Sequence, residues 1–308
     1  MIRFICSFII FLILSAPSAY GINLLGVTKL FEIRHGFNKP SEVAVSSKGL
    51  IYVVDGVNNK IQIFNNNGKF ISSFGRKGKE NGEFLFPLGI GMDGKDRIYI
   101  ADSGNHRIQI FNSKGAFLSK IKINSKTRKP ADPTDVAVDE TRNRIYVVDN
   151  DNHKILVYDL TTFTLLKSFG KPGTGKQEFR YPFLLSLDTD KYLYIVDVIN
   201  TRVQVLNPDG LFVTGIGGWG VEKGQFFRPK GVALDNKNHV FVSDSYTGVI
   251  QVFQSTGEFY AAVGDVSTGS VKKFKTPVGL FIDEKKRLFV VEMFANKISV
   301  FQIHEMGG

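Results

Sequence analysis

The chain has 308 residues, 43% of them hydrophobic and 22% charged, with a formal net charge of +10. This composition excludes a disordered or fibrous chain and leaves ample material for a large core. The only cysteine is Cys6, inside the N-terminal leader, so the rest of the chain holds no disulfide, thiolate zinc site or cysteine nucleophile.

That leader is the first predicted element. "MIRFICSFIIFLILSAPSAYG" sets one early positive charge, Arg3, before an apolar run from Phe4 to Leu14 and then small residues, the layout of a secretory signal peptide. The run is shorter than the roughly 20 residues of a comfortable membrane span. Ala19-Tyr20-Gly21 is the best small-x-small cleavage site, which places the mature N-terminus at Ile22. The expected location is periplasmic or extracellular, with no membrane span after cleavage; an uncleaved membrane anchor is the alternative.

From there one pattern recurs. "IYVVDGVNNKIQIF" begins at Ile51, "IYIADSGNHRIQIF" at Ile98, "IYVVDNDNHKILVY" at Ile145, "LYIVDVINTRVQVL" at Leu193, "VFVSDSYTGVIQVF" at Val240 and "LFVVEMFANKISVF" at Leu288. The acidic anchors Asp55, Asp102, Asp149, Asp197, Asp244 and Glu292 are spaced by 47, 47, 48, 47 and 48 residues. An aromatic stands three before each anchor, and a proline lies upstream of each: Pro40, Pro87, Pro133, Pro182, Pro229 and Pro277.

In chain order, each unit predicts four strands. A short apolar run follows the proline, a turn leads to the "IYVVD" run, a four-residue loop leads to "KIQIF", and a turn carrying Gly68, Gly115, Gly210 or Gly257 leads to a last strand. Val, Ile, Tyr and Phe dominate the runs, while Gly, Asn and Asp dominate the gaps. The first three runs are nearly continuous in apolar residues, as in a sheet buried on both faces. Four-stranded sheets repeated radially make a β-propeller. The sixth unit stops after its third strand, and "VTKLFEIRHG", residues 27–36, matches the missing fourth. The prediction is an all-β, six-bladed propeller of four-stranded antiparallel blades. It forms a single domain over 22–308, with the N-terminal strand closing the ring and covering an exposed edge.

The Asp-x-x-Asn-His-basic run, the aromatic before the Asp and the Phe-x-x-Pro approach resemble NHL repeats over residues 27–303. The resemblance implies a secreted bacterial type of six-bladed propeller. Its family spans RNA-binding regulators, peptide-amidating lyases and secreted bacterial proteins, so fold alone leaves function open. The anchor carboxylate is expected to accept N–H groups of the loop that follows it and to pair with a basic residue five positions on: Lys60, Arg107, Lys154, Arg202 or Lys297. The Asn three after the anchor suits a positive φ or a side-chain cap. A motif repeated in most units reads as structural, and Phe37, Phe84, Phe179, Phe226 and Phe274 are expected to wedge between blades.

Candidates for chemistry are few. The amidating lyases use zinc held by converging histidines, whereas His35, His106, His153, His239 and His304 form no evident trio and are expected at surfaces or turns. Other propeller hydrolases hold calcium near the channel mouth. Two residues after each proline stand Glu42, Gly89, Asp135, Leu184, Gly231 and Gly279, so Glu42 and Asp135 are the only carboxylates for a cation that wants six to eight oxygens. No Ser-His-Asp grouping or phosphate loop appears. No cofactor is expected and catalysis is not favoured; a metal-assisted lyase or hydrolase at the channel mouth is the alternative reading.

Charge is distributed unevenly. The six segments linking one unit to the next, 34–39, 75–86, 124–132, 170–181, 217–228 and 264–276, together carry +10, and propeller topology puts them on one face. They hold aromatic residues that the repeat does not require. The expected function is a non-catalytic binding module or scaffold that recognises a protein or an anionic glycan through this face. Arg76, Lys77, Lys129, Arg180, Trp219, Arg228 and Lys230 are the leading contacts. An exported chain meets little nucleic acid, so none is expected as partner.

Overall fold

The computed structural model describes residues 22–123 and 130–304. The leader at 1–21 and Lys129 lie outside the described residues. Blade 1 comprises Pro40–Val45, Ile51–Asp55, Lys60–Phe64 and Phe70–Phe74. Blades 2 to 5 repeat this antiparallel order from Pro87, Pro133, Pro182 and Pro229. Blade 6 takes Pro277–Ile282, Arg287–Glu292 and Lys297–Ile303 from the C-terminal end and its outer strand, Leu24–Ile33, from the N-terminal end. The six innermost strands, each starting at its proline, stand side by side in a closed circle.

Burial explains the apolar runs. Second strands such as Ile51–Asp55 and Ile98–Asp102 are buried at every position, since each sheet packs on both faces against a neighbouring blade. Six core clusters result. Phe84 joins Ile61 and Ile63 of blade 1 to Ile98 and Phe111 of blade 2, and Phe226 joins Val203 and Val205 of blade 4 to Val240 and Phe253 of blade 5. Phe37, Phe179 and Phe274 occupy the same place at other interfaces. Between blades 2 and 3 the smaller Ala131 stands there, packed with Ile121 and Ile123. Each such ring contributes about 1.5–3 kcal/mol by leaving water.

The closing strand runs from 24 to 33 rather than from 27 to 36. Val27 pairs with Ile303 and Ile33 with Ile298, antiparallel, as blade 6 requires. Its first residues also pair parallel with the outer strand of blade 5, Leu24 with Ala262 and Val27 with Asp265. The reason is its length: the extra N-terminal residues overrun blade 6 and reach the next edge. At the axis, glycine allows the innermost strands to approach. A Cβ on Gly89 would lie 2.5 Å from the Thr134 carbonyl oxygen, and one on Gly231 would lie 2.0 Å from that of Val278.

Candidate functional site: the loop face and the channel mouth

The hydrogen bonds of the repeat build one face. In every blade the anchor carboxylate accepts the backbone N–H of the residue 17 positions earlier, in the segment that brings the chain into that blade: Asn38 to Asp55, Leu85 to Asp102, Asp132 to Asp149, Arg180 to Asp197, Phe227 to Asp244 and Lys275 to Glu292. The loop after the anchor also supplies N–H groups, as expected, from the Tyr246 and Thr247 backbone to Asp244 in blade 5 and from an asparagine side chain in blades 1 to 4. The clamp on the incoming segment is added to that expected contact. The third-position Asn turns its amide back to the anchor, as Asn58 does to Asp55 at 2.8 Å and Asn105 to Asp102 at 2.9 Å. It is a cap only; the positive φ falls one residue later, at Asn59, His106, His153, Thr201, Gly248 and Asn296.

That fourth residue ties one blade to the next. Asn59 Oδ1 accepts the Phe86 N–H, His153 Nδ1 accepts the Tyr181 N–H, and Asn296 Oδ1 accepts the Lys39 N–H. His106 makes the opposite bond, with Nδ1 donating to the Ala131 carbonyl at 2.5 Å. The two repeat histidines thus hold opposite tautomers and, from the turns where they were expected, staple one blade to the next. The remaining histidines are also placed by packing: His35 stacks on Phe70 and bonds Gln62, His239 bonds Asp235, and His304 bonds Thr28. Among the described residues no three metal-binding side chains converge.

Of the expected carboxylate–cation pairs, Arg107–Asp102 (2.7 Å), Arg202–Asp197 (2.9 Å) and Lys297–Glu292 (3.1 Å) form. A glutamine seven after the anchor, unnoticed in the repeat, completes the network. Gln109 Nε2 donates to Glu83 O while its Oε1 accepts the Gly82 N–H, and Gln204 does the same with Glu178 O and the Gln177 N–H. The recurring "Q" in "RIQIF" and "RVQVL" was the available signal.

Because the anchors sit at the root of the second-to-third-strand loops and hold the incoming segments, both loop sets crowd one end of the ring. Among the described residues nine exposed large hydrophobic side chains stand there, including Phe86, Tyr181, Ile199, Trp219, Tyr246 and Phe294, whereas the hairpin loops of the opposite end expose one, Leu211. The hairpin loops also carry as many acidic as basic side chains, in contrast to the surplus on this face. Phe86 and Tyr181, 52% and 42% exposed, directly precede a strand-initiating proline with φ of 50° and 57°. Lys39 and Thr276 hold the same conformation before Pro40 and Pro277, so the bend belongs to the repeat, and what distinguishes Phe86 and Tyr181 is an exposed ring at that position.

The candidate contacts are spread around this face. Arg76 is bonded to Glu83 at 2.9 Å, so its charge is partly spent. Lys77 and Trp219 are held by backbone bridges to Phe84 and Phe226, with Trp219 left 75% exposed. The backbone N–H groups of Arg180 and Arg228 are bound to Asp197 and Asp244, which leaves their guanidinium groups outward. Lys230 is the most enclosed: its Nζ lies 4.2 Å from the Phe183 ring centroid.

Glu42 and Asp135 meet at the axis below this mouth, across Gly89 of the blade between them. Both are buried. Glu42 Oε2 accepts the Ile90 N–H, and the two Asp135 oxygens accept the Val136 and Leu185 N–H groups. Burial pushes the Asp135 carboxyl up to about 7, and burial with the neighbouring Asp135 raises Glu42 well above the usual range. Two buried carboxyls this close do not both ionise readily, which favours a single proton shared by the pair.

A family described as "6-bladed beta-propeller" matches residues 35–123 and 92–170, and the NHL repeat matches residues 226–253. The repeat type and propeller class read from the sequence are thereby met. No curated protein matches the chain. Among solved structures, a streptogramin B lyase is similar at 12% identity and TM-score 0.65, over 89% of this chain and 97% of the other. Virginiamycin B lyase from Staphylococcus aureus aligns at 16% identity and TM-score 0.63, over 90% and 99%. A structural genomics protein of unknown function from Bacteroides thetaiotaomicron aligns at 16% and 0.67, over 92% and 73%. At such identities the likeness is one of fold.

Proposed function

We propose that this NHL-type six-bladed propeller is an exported binding module whose loop face takes an acidic protein partner. The observation that carries the reading is one-sidedness: among the described residues, nine exposed large hydrophobic side chains on the loop face against one in the hairpin loops opposite. Apolar patches of this kind mark interaction sites. Trp, Tyr and Arg are the residue types that dominate protein-interface energetics. Aliphatic members such as Ile199 and Val221 suit a protein partner better than a sugar ring, which stacks on aromatic faces alone. The basic surplus adds attraction and orientation.

The alternative, a metal-assisted lyase or hydrolase at Glu42 and Asp135, has less support. Three of their four oxygens already accept backbone N–H groups, and the fourth adjoins a shared proton. That leaves a cation far short of its usual oxygen shell.

The test immobilises the chain from Ile22 and exposes it to envelope extract at low and high salt. Two variants serve as controls: one with Lys77, Arg180, Trp219 and Tyr246 changed to Ser, and one with Lys69 and Lys114 of the opposite face changed to Ser. The expected result is a protein retained by the parent and the opposite-face variant, released by salt and missed by the loop-face variant. Equal retention by all three chains, or recovery of a polysaccharide instead, overturns the reading.

A further inference from the structure

The position immediately after the strand-initiating proline is neutral in five blades, where it is Ser41, Leu88, Thr134, Phe183 and Val278. In blade 5 it is Lys230. It is the one cation among these six equivalent positions, and it follows Arg228 by two residues on the approach to the same strand. Neither side chain has a carboxylate partner among the described residues. The Lys230 Nζ lies over Phe183, 4.2 Å from the ring centroid, and further aromatic residues stand in the neighbouring loops on either side. On the blade 4 side Tyr181 is held upright by His153, their rings 4.8 Å apart and edge-on; on the blade 5 side Phe227 and Tyr246 stack at 4.1 Å.

We propose that Lys230 and Arg228 form a subsite at the channel mouth for a carboxylate that the partner presents. The subsite rests on the binding reading above and gives it a polar centre. Enclosure and the neighbouring Arg228 lower the Lys230 pKa, so a bare ammonium is poorly accommodated there. An arriving carboxylate removes the repulsion between the two cations and supplies the missing acceptor, through a charge-assisted hydrogen bond from Nζ. Arg228 adds a planar donor fork suited to a carboxylate. The flanking rings suit the apolar stem of an acidic side chain or the last side chain before a free C-terminus, which share the same carboxylate chemistry.

The test reads Lys230 alone, so it can fail while the wider face still binds a partner. The chain from Ile22 is labelled at pH 8 with an amine acetylating reagent, and the modification rate at each lysine is mapped by mass spectrometry. Three short probes are added at up to ~50 mM: a capped Gly-Glu-Gly amide, an acetylated Gly-Ala with a free carboxyl terminus, and a capped Gly-Gln-Gly amide. The expected result is at least fivefold slower labelling of Lys230 with one or both acidic probes, none with the Gln probe, and no change at Lys48 on the opposite face. Protection by the first probe alone assigns an acidic side chain, and protection by the second alone assigns a chain terminus. R228Q, which keeps the backbone N–H bond to Asp244, is expected to lose most of the protection. Equal Lys230 labelling with the acidic and neutral probes overturns the subsite, as does full protection in R228Q.

Discussion

Asp102 Oδ2 holds the Arg107 Nε at 2.7 Å while Asp102 Oδ1 accepts the Leu85 N–H at 2.8 Å. One carboxylate thereby fixes the second-to-third-strand turn and the segment that brings the chain into the blade. The guanidinium reaches further, to the carbonyl oxygens of Lys79, Glu80 and Glu83. Both charges are buried, so the pair is a framework element whose loss leaves a charge stranded.

D102A is therefore expected to cost about 3–5 kcal/mol, because Arg107 stays buried without its acid. D149A is expected to cost less, about 1–3 kcal/mol, because Asp149 bonds an N–H and the Asn152 amide, and Lys154, five positions on, does not pair with it as Arg107 does with Asp102. Urea unfolding of both variants checks the ranking. Equal losses would show that the backbone clamp, not the ion pair, carries the stability.

Glu42 and Asp135 give the fold a pH dependence with a definite sign. Both folded-state pKa values are raised, so the protonated pair stabilises the fold in full below the unfolded carboxyl range near pH 4, and that contribution is lost as pH rises through about 7. The thermal midpoint of the parent should fall by several degrees between pH 5 and 9. E42Q replaces the shared proton with an amide that titrates nowhere in this range, and should flatten the decline. An E42Q profile that follows the parent would count against a proton held between the two groups.

The closing strand tests the ring. Val27 is 1% exposed and sits where two strand pairings meet, opposite Ile303 and beside Asp265. V27D buries an unpaired charge and is expected to cost at least ~3 kcal/mol. T28D, on the exposed side of the same strand, is expected to stay within about 1 kcal/mol. Similar urea midpoints for the two variants would mean that this strand does not seal the propeller.

The sequence by itself determined the repeat, the four strands of each unit, the six blades, the closure by an N-terminal strand and the one-sided positive charge. All follow from local pattern: strand periods, turn residues at fixed offsets and a spacing of 47 or 48 residues. Tertiary structure decided what each repeated polar residue bonds. The partners of Asp55 and Asn59 lie 17 and 27 residues away, across a loop or across a blade, and no local pattern encodes which N–H group a carboxylate or amide will meet. It alone also showed that Arg76 is tied to Glu83 while Lys230 stands above a ring with Arg228 beside it. In the sequence the two are equal positive charges. In the folded ring the packing of neighbouring blades sets which charge meets an acid and which does not.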